Sequence, residues 1–215
     1  MRTKLGGRIA GAAEAEALYR NAIRIRPSEA MAHYNLGLLL AKRDLAREAI
    51  AEYHEALHHS PDDFRILTSL GTALLRTGNL PEAVRRYREA HRLSPENPLV
   101  NYNLGVALEE SGNIDEAIAR YRTSIRVNPG YGKAQNNLGR LLEMRGRSEE
   151  AMEHYGKAVQ LAPGDIVSRL NLGFSLVRAG RSREAAAHFR EALKIRPGDP
   201  GATRGLELAL GGGKL

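Results

Sequence analysis

The sequence predicts an all-α solenoid in which antiparallel helix pairs stack along the chain. One observation is a 34-residue repeat that runs through nearly all of the 215 residues. Another is a composition that is 42% hydrophobic but only 5% aromatic, which suits helices better than sheets. A repeat of this length is typical of stacked supersecondary units that bury their apolar faces against their neighbours.

Six positions recur in phase through five copies of the repeat. Two of them form a Leu-Gly pair: Leu36-Gly37, Leu70-Gly71, Leu104-Gly105, Leu138-Gly139 and Leu172-Gly173. An alanine follows twelve positions after each glycine: Ala49, Ala83, Ala117, Ala151 and Ala185. An aromatic residue stands four positions further on: Tyr53, Tyr87, Tyr121, Tyr155 and Phe189. A small residue and a proline complete the pattern: Ala56, Ala90, Ser124, Ala158 and Ala192, then Pro61, Pro95, Pro129, Pro163 and Pro197.

Each recurring position has a physical reason. The glycine is predicted to lie mid-way along the first helix of a pair, where the missing side chain lets the second helix approach. This benefit must exceed the penalty of roughly 1 kcal/mol for glycine in a helix. The alanine has the same part on the second helix, and the aromatic residue on the same face fills the space between the helices. The proline ends the second helix and starts the next unit.

A left-handed residue is predicted at the end of each first helix. Glycine adopts this conformation without a steric penalty and stands there in four copies: Gly78, Gly112, Gly146 and Gly180. Asp44 occupies the same place in the first copy and tolerates the conformation less readily.

The pattern resembles the tetratricopeptide repeat family across nearly the whole chain. The resemblance implies a right-handed superhelical solenoid in which the first helices line a concave groove. The sequence departs from the family at the fourth position of the repeat, where the usual tryptophan is replaced: His33, Leu67, Asn101, Gln135 and Arg169. The usual tyrosine after the Leu-Gly pair is a leucine, which packs there as well: Leu40, Leu74, Leu108, Leu142 and Leu176.

The predicted domain organisation is a half repeat, five complete repeats and a C-terminal capping helix with a tail. The boundaries are 1–29, 30–63, 64–97, 98–131, 132–165, 166–199 and 200–215. The half repeat matches a second helix at Ala15, Tyr19, Ala22 and Pro27, whereas residues 1–9 are too few for its first helix and contain Gly6-Gly7. At the other end, Asp199-Pro200 is predicted to begin the capping helix, which ends at Gly211-Gly212-Gly213.

The resemblance places positions 2, 5, 6, 9, 12 and 13 of each unit in the groove. Position 6 carries a row of asparagines that Ser69 interrupts: Asn35, Asn103, Asn137 and Asn171. A carboxamide both donates and accepts hydrogen bonds, so the row can bind the backbone of an extended peptide. It resembles the asparagine ladder in the repeat domain of the O-linked N-acetylglucosamine transferase. The alternative is that asparagine is simply common at this position in the family.

Apolar clusters and mixed charges flank the asparagine row. The clusters are Met31, Tyr34 and Leu38; Leu99, Tyr102 and Val106; and Val167, Leu170 and Phe174. Exposed apolar clusters at regular spacing mark interaction sites, although some of these residues are expected to pack on adjacent helices instead. The residues predicted to bind a peptide are Asn35, Asn103, Asn137, Asn171, Tyr34, Leu38, Tyr102, Val106, Arg140 and Phe174. The lysine and asparagine with which chaperone-docking members clamp a C-terminal carboxylate are missing from positions 5 and 9.

Composition and motifs argue against several other functions. The chain contains no cysteine, which excludes disulfides and thiolate metal sites. A net charge of +7 is spread as arginines among glutamates without a basic run, so nucleic-acid binding is not favoured. No stretch has the length of a membrane span, and the start is a poor signal peptide, so a cytoplasmic protein is expected.

No catalytic residue, metal ligand or cofactor is predicted. His54 and His58 share a helical face, but no third ligand has convincing spacing for a metal. The sequence therefore predicts a scaffold or adaptor that binds a protein or peptide segment, extended or helical, in its groove. Two alternatives stay open: a substrate-recruiting part of a larger enzyme such as a glycosyltransferase, and a subunit that self-assembles through the N-terminal half repeat.

Overall fold

A computed structural model describes the backbone of residues 2–211. Side chains are described for the same range except residues 2–10 and 12. These residues form helices joined by short turns, and they divide into two compact units between Asn113 and Ile114. Unit 1 contains α1 (Arg2–Ile25), α2 (Ala30–Lys42), α3 (Ala46–His59), α4 (Phe64–Arg76), α5 (Leu80–Leu93) and α6 (Pro98–Glu110). Unit 2 contains α7 (Ile114–Val127), α8 (Gly132–Met144), α9 (Ser148–Leu161), α10 (Ile166–Arg178), α11 (Ser182–Ile195) and α12 (Pro200–Gly211). The predicted all-α helical-repeat fold is confirmed.

We call α2, α4, α6, α8 and α10 the first helices, and the helix after each of them a second helix. Several first helices begin at a side-chain cap. The Asp63 carboxylate accepts a hydrogen bond from the amide of Arg65 at 2.8 Å, and Asn97 accepts one from Leu99 at 3.0 Å. Asp199 caps α12 in the same way, since its carboxylate accepts from the amide of Ala202 at 3.0 Å.

Four glycines of the Leu-Gly pairs lie against the aromatic ring of the second helix, as predicted: Gly37, Gly71, Gly139 and Gly173. A Cβ atom added to Gly71 would lie 2.8 Å from the ring of Tyr87. The same distance separates such an atom on Gly139 from the ring of Tyr155. These rings are almost completely buried. Close packing of the paired helices therefore depends on the missing side chain.

The first helices end at residues in the left-handed conformation, as predicted. The φ angles are 81° at Gly78, 80° at Gly112, 74° at Gly146 and 75° at Gly180. Asp44 takes the same conformation with a φ of 67°. An aspartate therefore bears a backbone strain that glycine avoids in the later repeats.

A second recurring contact ties the end of one repeat to the start of the next, and the sequence did not predict it. The residue at the fourth position donates a hydrogen bond to the carbonyl oxygen of the proline six residues earlier. The donor–acceptor distances are 3.0 Å for His33–Pro27, 2.7 Å for Asn101–Pro95, 3.3 Å for Gln135–Pro129 and 2.6 Å for Arg169–Pro163. Leu67 has no donor to offer Pro61 and packs instead in an apolar cluster with Ala90 and Val100.

The two ends of the described chain are helices that pack on their units. Residues 2–9 continue α1 towards its N-terminus, so the 24-residue helix passes through Gly6-Gly7. It packs on α2. At the other end, α12 packs on both α10 and α11 and covers a buried cluster formed by Ile166, Ala192 and Ala202. None of the helices within residues 2–211 combines the length and apolar character that a membrane span requires.

Candidate functional site

Neighbouring first helices contact each other within each unit. In unit 1, the hydroxyl of Ser69 on α4 donates to the hydroxyl of Tyr34 on α2 at 3.5 Å. In unit 2, Asn171 on α10 donates to the side-chain oxygen of Asn136 on α8 at 2.9 Å. The outward residues of these helices therefore form one surface in each unit. We call it the first-helix face: α2, α4 and α6 in unit 1, and α8 and α10 in unit 2.

The asparagines of unit 1 keep their hydrogen-bonding groups available. Asn35 on α2 and Asn103 on α6 are half-buried. Neither carboxamide has a hydrogen-bond partner among the described residues. Each can both donate to and accept from the backbone of a bound chain. Ser69 lies at the corresponding position of α4 and is also half-buried.

The asparagines of unit 2 are partly used within the protein. Asn137 donates to the hydroxyl of Tyr121 at 3.3 Å, and Asn171 donates to Asn136 as described above. Both side chains are half-buried. Each keeps its carbonyl oxygen and one N–H group, so its capacity to bind a peptide backbone is smaller than that of Asn35 or Asn103.

A pocket of about 270 Å³ opens between α2 and α4 in unit 1. Its residues come from three helices: Leu38, Ala41, Lys42, Tyr53, Ser69, Thr72, Ala73 and Arg76. Burial raises the pKa of Tyr53 to about 12, with a smaller contribution from Tyr34, so the phenol stays neutral. The hydroxyls of Thr72 and Tyr87 lie 2.9 Å apart and satisfy each other. The pocket is therefore uncharged inside, with cationic groups at its edge.

The apolar residues predicted for unit 1 differ in their exposure. Tyr34 is half-buried, and its ring centroid lies 6.1 Å from that of Tyr53. Leu38 lines the pocket, whereas Tyr102 and Val106 are half-buried on α6. Leu99 precedes them on the same helix and is 51% exposed. The first-helix face of unit 1 therefore combines amide groups with apolar surface.

On the first-helix face of unit 2, an ion pair connects α8 with α10 and an aromatic side chain packs against a second helix. Arg178 on α10 forms an ion pair with Glu143 on α8 at 2.6 Å, and the Tyr155 hydroxyl donates to the same carboxylate at 3.1 Å. Burial, together with the charge of Glu143, raises the pKa of Tyr155. The Phe174 ring packs edge-on against Phe189 at a centroid distance of 5.0 Å.

Two further predicted residues of unit 2 have partners within it. Arg140 approaches the sulfur of Met144 at 3.7 Å. Leu170, which the sequence placed in an apolar cluster of the groove, packs against the buried cluster under α12. This is the behaviour expected for some of the clustered apolar residues. Among the described side chains, no group of three or more His, Asp or Glu residues is arranged to hold a metal ion.

Sequence reasoning missed two features of this region. It treated the fourth position only as a replacement for a packed tryptophan, although a polar residue stands there in four of five copies, each six residues after a proline. It also did not single out Lys42, which occupies position 13 of the first repeat and lies at the edge of the pocket. The first feature was visible as a recurrent spacing. The second depends on packing between α2 and α4, which spacing along one helix does not reveal.

Solved structures with the same fold include PilF, YrrB and MamA. PilF of Pseudomonas aeruginosa aligns with a TM-score of 0.81 and 25% identity, over 94% of this chain and 93% of that protein. YrrB, described as a TPR protein with an unusual peptide-binding site, aligns with a TM-score of 0.71 and 21% identity, over 86% and 96%. MamA of Desulfovibrio magneticus RS-1 aligns with a TM-score of 0.70 and 24% identity, over 80% and 97%. No curated protein sequence matches this chain.

Family models match the chain along most of its length. The tetratricopeptide repeat model matches residues 10–64 and 102–166, which together make up more than half of the chain. A TPR repeat model matches residues 73–112, and a further tetratricopeptide repeat model matches residues 166–191. The recurring glycine–aromatic contacts and left-handed helix ends agree with these matches. The chain belongs to the tetratricopeptide repeat family.

Proposed function

We propose that this protein is a non-catalytic scaffold that binds an extended peptide segment of a partner protein on its first-helix face. The observation that carries the proposal is the state of Asn35 and Asn103. Both carboxamides are half-buried beside apolar surface, and neither has a partner among the described residues. A partly desolvated amide without an internal partner gains most from an added ligand.

A peptide backbone is the ligand that fits such amides. Each backbone unit offers one N–H donor and one carbonyl acceptor, which match the two functions of a carboxamide. Each such hydrogen bond adds about 0.5–1.5 kcal/mol net. The neighbouring Tyr34, Leu38, Tyr102 and Val106 supply apolar surface for the peptide side chains. YrrB shares the fold and is itself described by its peptide-binding site, which supports the same class of ligand here.

The test begins with a random peptide library displayed on phage and selected on the purified protein. A selected peptide is then titrated against the protein by isothermal titration calorimetry. Replacing both Asn35→Ala and Asn103→Ala is expected to weaken binding about 5-fold or more, since two net hydrogen bonds are lost. The matched control is Gln160→Ala, which removes an exposed amide from the second helix α9 and is expected to leave the affinity unchanged.

The asparagines of unit 2 provide a further comparison. The pair Asn137→Ala and Asn171→Ala is expected to weaken binding less than the unit 1 pair, because these amides already donate within the protein. Equal affinity of the wild type and the folded Asn35→Ala, Asn103→Ala variant would refute the role of these amides. A library that yields no binding peptide would refute the proposed function itself.

A further inference from the structure

The pocket between α2 and α4 has the size and lining of a site for one apolar side chain. Its volume of about 270 Å³ exceeds that of a single large side chain, and it is open on one side. Leu38, Ala41 and Ala73 supply aliphatic surface, and the neutral Tyr53 ring supplies an aromatic wall. The Thr72 hydroxyl is already satisfied by the hydroxyl of Tyr87 and by the carbonyl oxygen of Thr68, both at 2.9 Å. An apolar group can therefore enter without leaving this hydroxyl unpaired.

The edge of the pocket carries a positive charge that the protein does not neutralise. Lys42 is exposed and forms no ion pair with the described residues. Arg76, at the same edge, donates to the carbonyl oxygen of Ala41 at 2.9 Å and pairs with the exposed carboxylate of Asp44. Lys42 is therefore the group that remains available for an acidic ligand.

A ligand carboxylate is favoured on the α2 side of the pocket, because Lys42 is the cation at the edge that has no partner within the described residues.

The combination of residues is particular to unit 1. Three repeats later, the positions of Leu38, Lys42 and Thr72 carry Arg140, Met144 and Phe174. These replacements put a charged group and a large aromatic side chain where unit 1 has a leucine and a threonine. They also remove the lysine. The pocket therefore depends on residues that unit 1 does not share with the later repeat, and not on the positions that recur in every repeat.

We infer that this pocket and Lys42 together recognise two side chains of the bound peptide, one apolar and one acidic. The inference rests on the proposed function and specifies the class of peptide that binds. The apolar side chain enters the pocket, and an acidic side chain two residues away pairs with Lys42. In an extended chain, residues i and i+2 point to the same side and lie roughly 6.6 Å apart. The long side chain of Lys42 spans this distance from the edge of the pocket.

The test uses the same random peptide library, selected separately on the wild type and on Lys42→Glu. The wild type is expected to enrich peptides in which Leu, Ile, Met or Phe stands two residues from Asp or Glu. Against one such peptide, Lys42→Glu is expected to weaken binding about 3- to 10-fold, since an exposed attraction becomes a repulsion. Changing the acidic residue of that peptide to lysine is expected to restore affinity for Lys42→Glu. The matched control is Lys157→Glu, an exposed lysine on the second helix α9, which is expected to leave affinity unchanged.

A second variant tests the pocket itself. Thr72→Phe places in unit 1 the residue that stands at this position in unit 2, and it is expected to weaken binding at least 10-fold by filling the pocket. Thr72→Val removes the hydroxyl but keeps the side-chain volume, and it is expected to retain most of the affinity. Circular dichroism establishes that each variant is folded before its affinity is measured.

The outcomes separate this inference from the proposed function. Selected peptides that need Asn35 and Asn103 but bind equally to the wild type, Lys42→Glu and Thr72→Phe would overturn the pocket inference and leave the scaffold proposal standing. Enriched peptides without acidic residues would overturn the role of Lys42. The absence of any enriched peptide would overturn both proposals.

Discussion

Single glycines decide how closely the helices of a pair approach each other. Gly71 and Gly156 both lie inside helices, but their surroundings differ. A Cβ atom on Gly71 would lie within 3.0 Å of three atoms of the Tyr87 ring, whereas one on Gly156 would meet nothing within 4 Å. The same residue type is therefore required in α4 and tolerated in α9.

Alanine substitutions at these two glycines are expected to change stability in opposite directions. Gly71→Ala should lower the free energy of unfolding by about 1–2 kcal/mol, because overpacking outweighs the gain in helix propensity. Gly156→Ala should raise it by up to about 1 kcal/mol, since only the propensity gain remains. Urea denaturation followed by circular dichroism measures both changes. Destabilisation of equal size by both variants would show that the ring contact is not the cause.

At the scale of the helices, two half-buried histidines of the second helices make the stability of the protein depend on pH. The Nδ1 atom of His154 on α9 donates to the side-chain oxygen of Gln135 at 2.6 Å. Burial lowers the pKa of His154, and Lys157 adds to the effect. Burial also lowers the pKa of His188 on α11, with a contribution from Arg169. In both cases the folded protein favours the neutral imidazole.

The expected consequence is a loss of stability as the pH falls below about 6.5, the usual pKa of histidine. In that range the unfolded chain binds more protons than the folded one, so the free energy of unfolding decreases with decreasing pH. The double variant His154→Gln and His188→Gln should show a shallower dependence between pH 7 and pH 5, because glutamine does not titrate. Urea denaturation at several pH values measures the slope. An unchanged slope would contradict this assignment.

The carboxylates with lowered pKa values do not interfere with that measurement. Hydrogen bonds from arginines lower the pKa of Glu150 and of Glu184 below the usual range. A carboxylate with a lowered pKa contributes stability above its unfolded value near 4.3 and loses it only at more acidic pH. The two groups of residues therefore titrate in separate ranges.

Structural features that depend on residues at fixed offsets in the repeat could be predicted from the sequence, whereas contacts between side chains of different helices could not. The left-handed residue at Asp44 and the ring beside Gly71 follow from the repeat pattern, because each depends on positions at fixed offsets. The partners of Asn137 and Asn171 do not, since Tyr121 and Asn136 lie on other helices. The pocket beside Lys42 also escaped prediction, because its walls come from three helices of different sequence.

At the scale of the whole molecule, the same repeat carries two different faces. Unit 1 presents unpaired amides and a pocket with Lys42 at its edge, whereas unit 2 presents amides that already donate within the protein and a packed phenylalanine. The buried positions stay almost constant from repeat to repeat, while the outward positions of the first helices vary. The chain therefore separates the residues that maintain the fold from those proposed to select a ligand.

The connection between two repeats at Leu67 has a consequence for local opening of the structure; we call each such connection, from the proline to the fourth position of the next repeat, a joint. At four joints the residue at the fourth position donates a hydrogen bond to the proline carbonyl. At the joint of Pro61 and Leu67 this hydrogen bond is missing, because leucine has no donor. The loop residues 60–65 line an open cavity instead. Amide hydrogen exchange monitored by mass spectrometry should therefore be faster in residues 60–67 than in residues 94–101, where Asn101 holds the joint. Leu67→Gln should slow it, whereas equal rates at both joints in the wild type would show that these bonds do not limit opening.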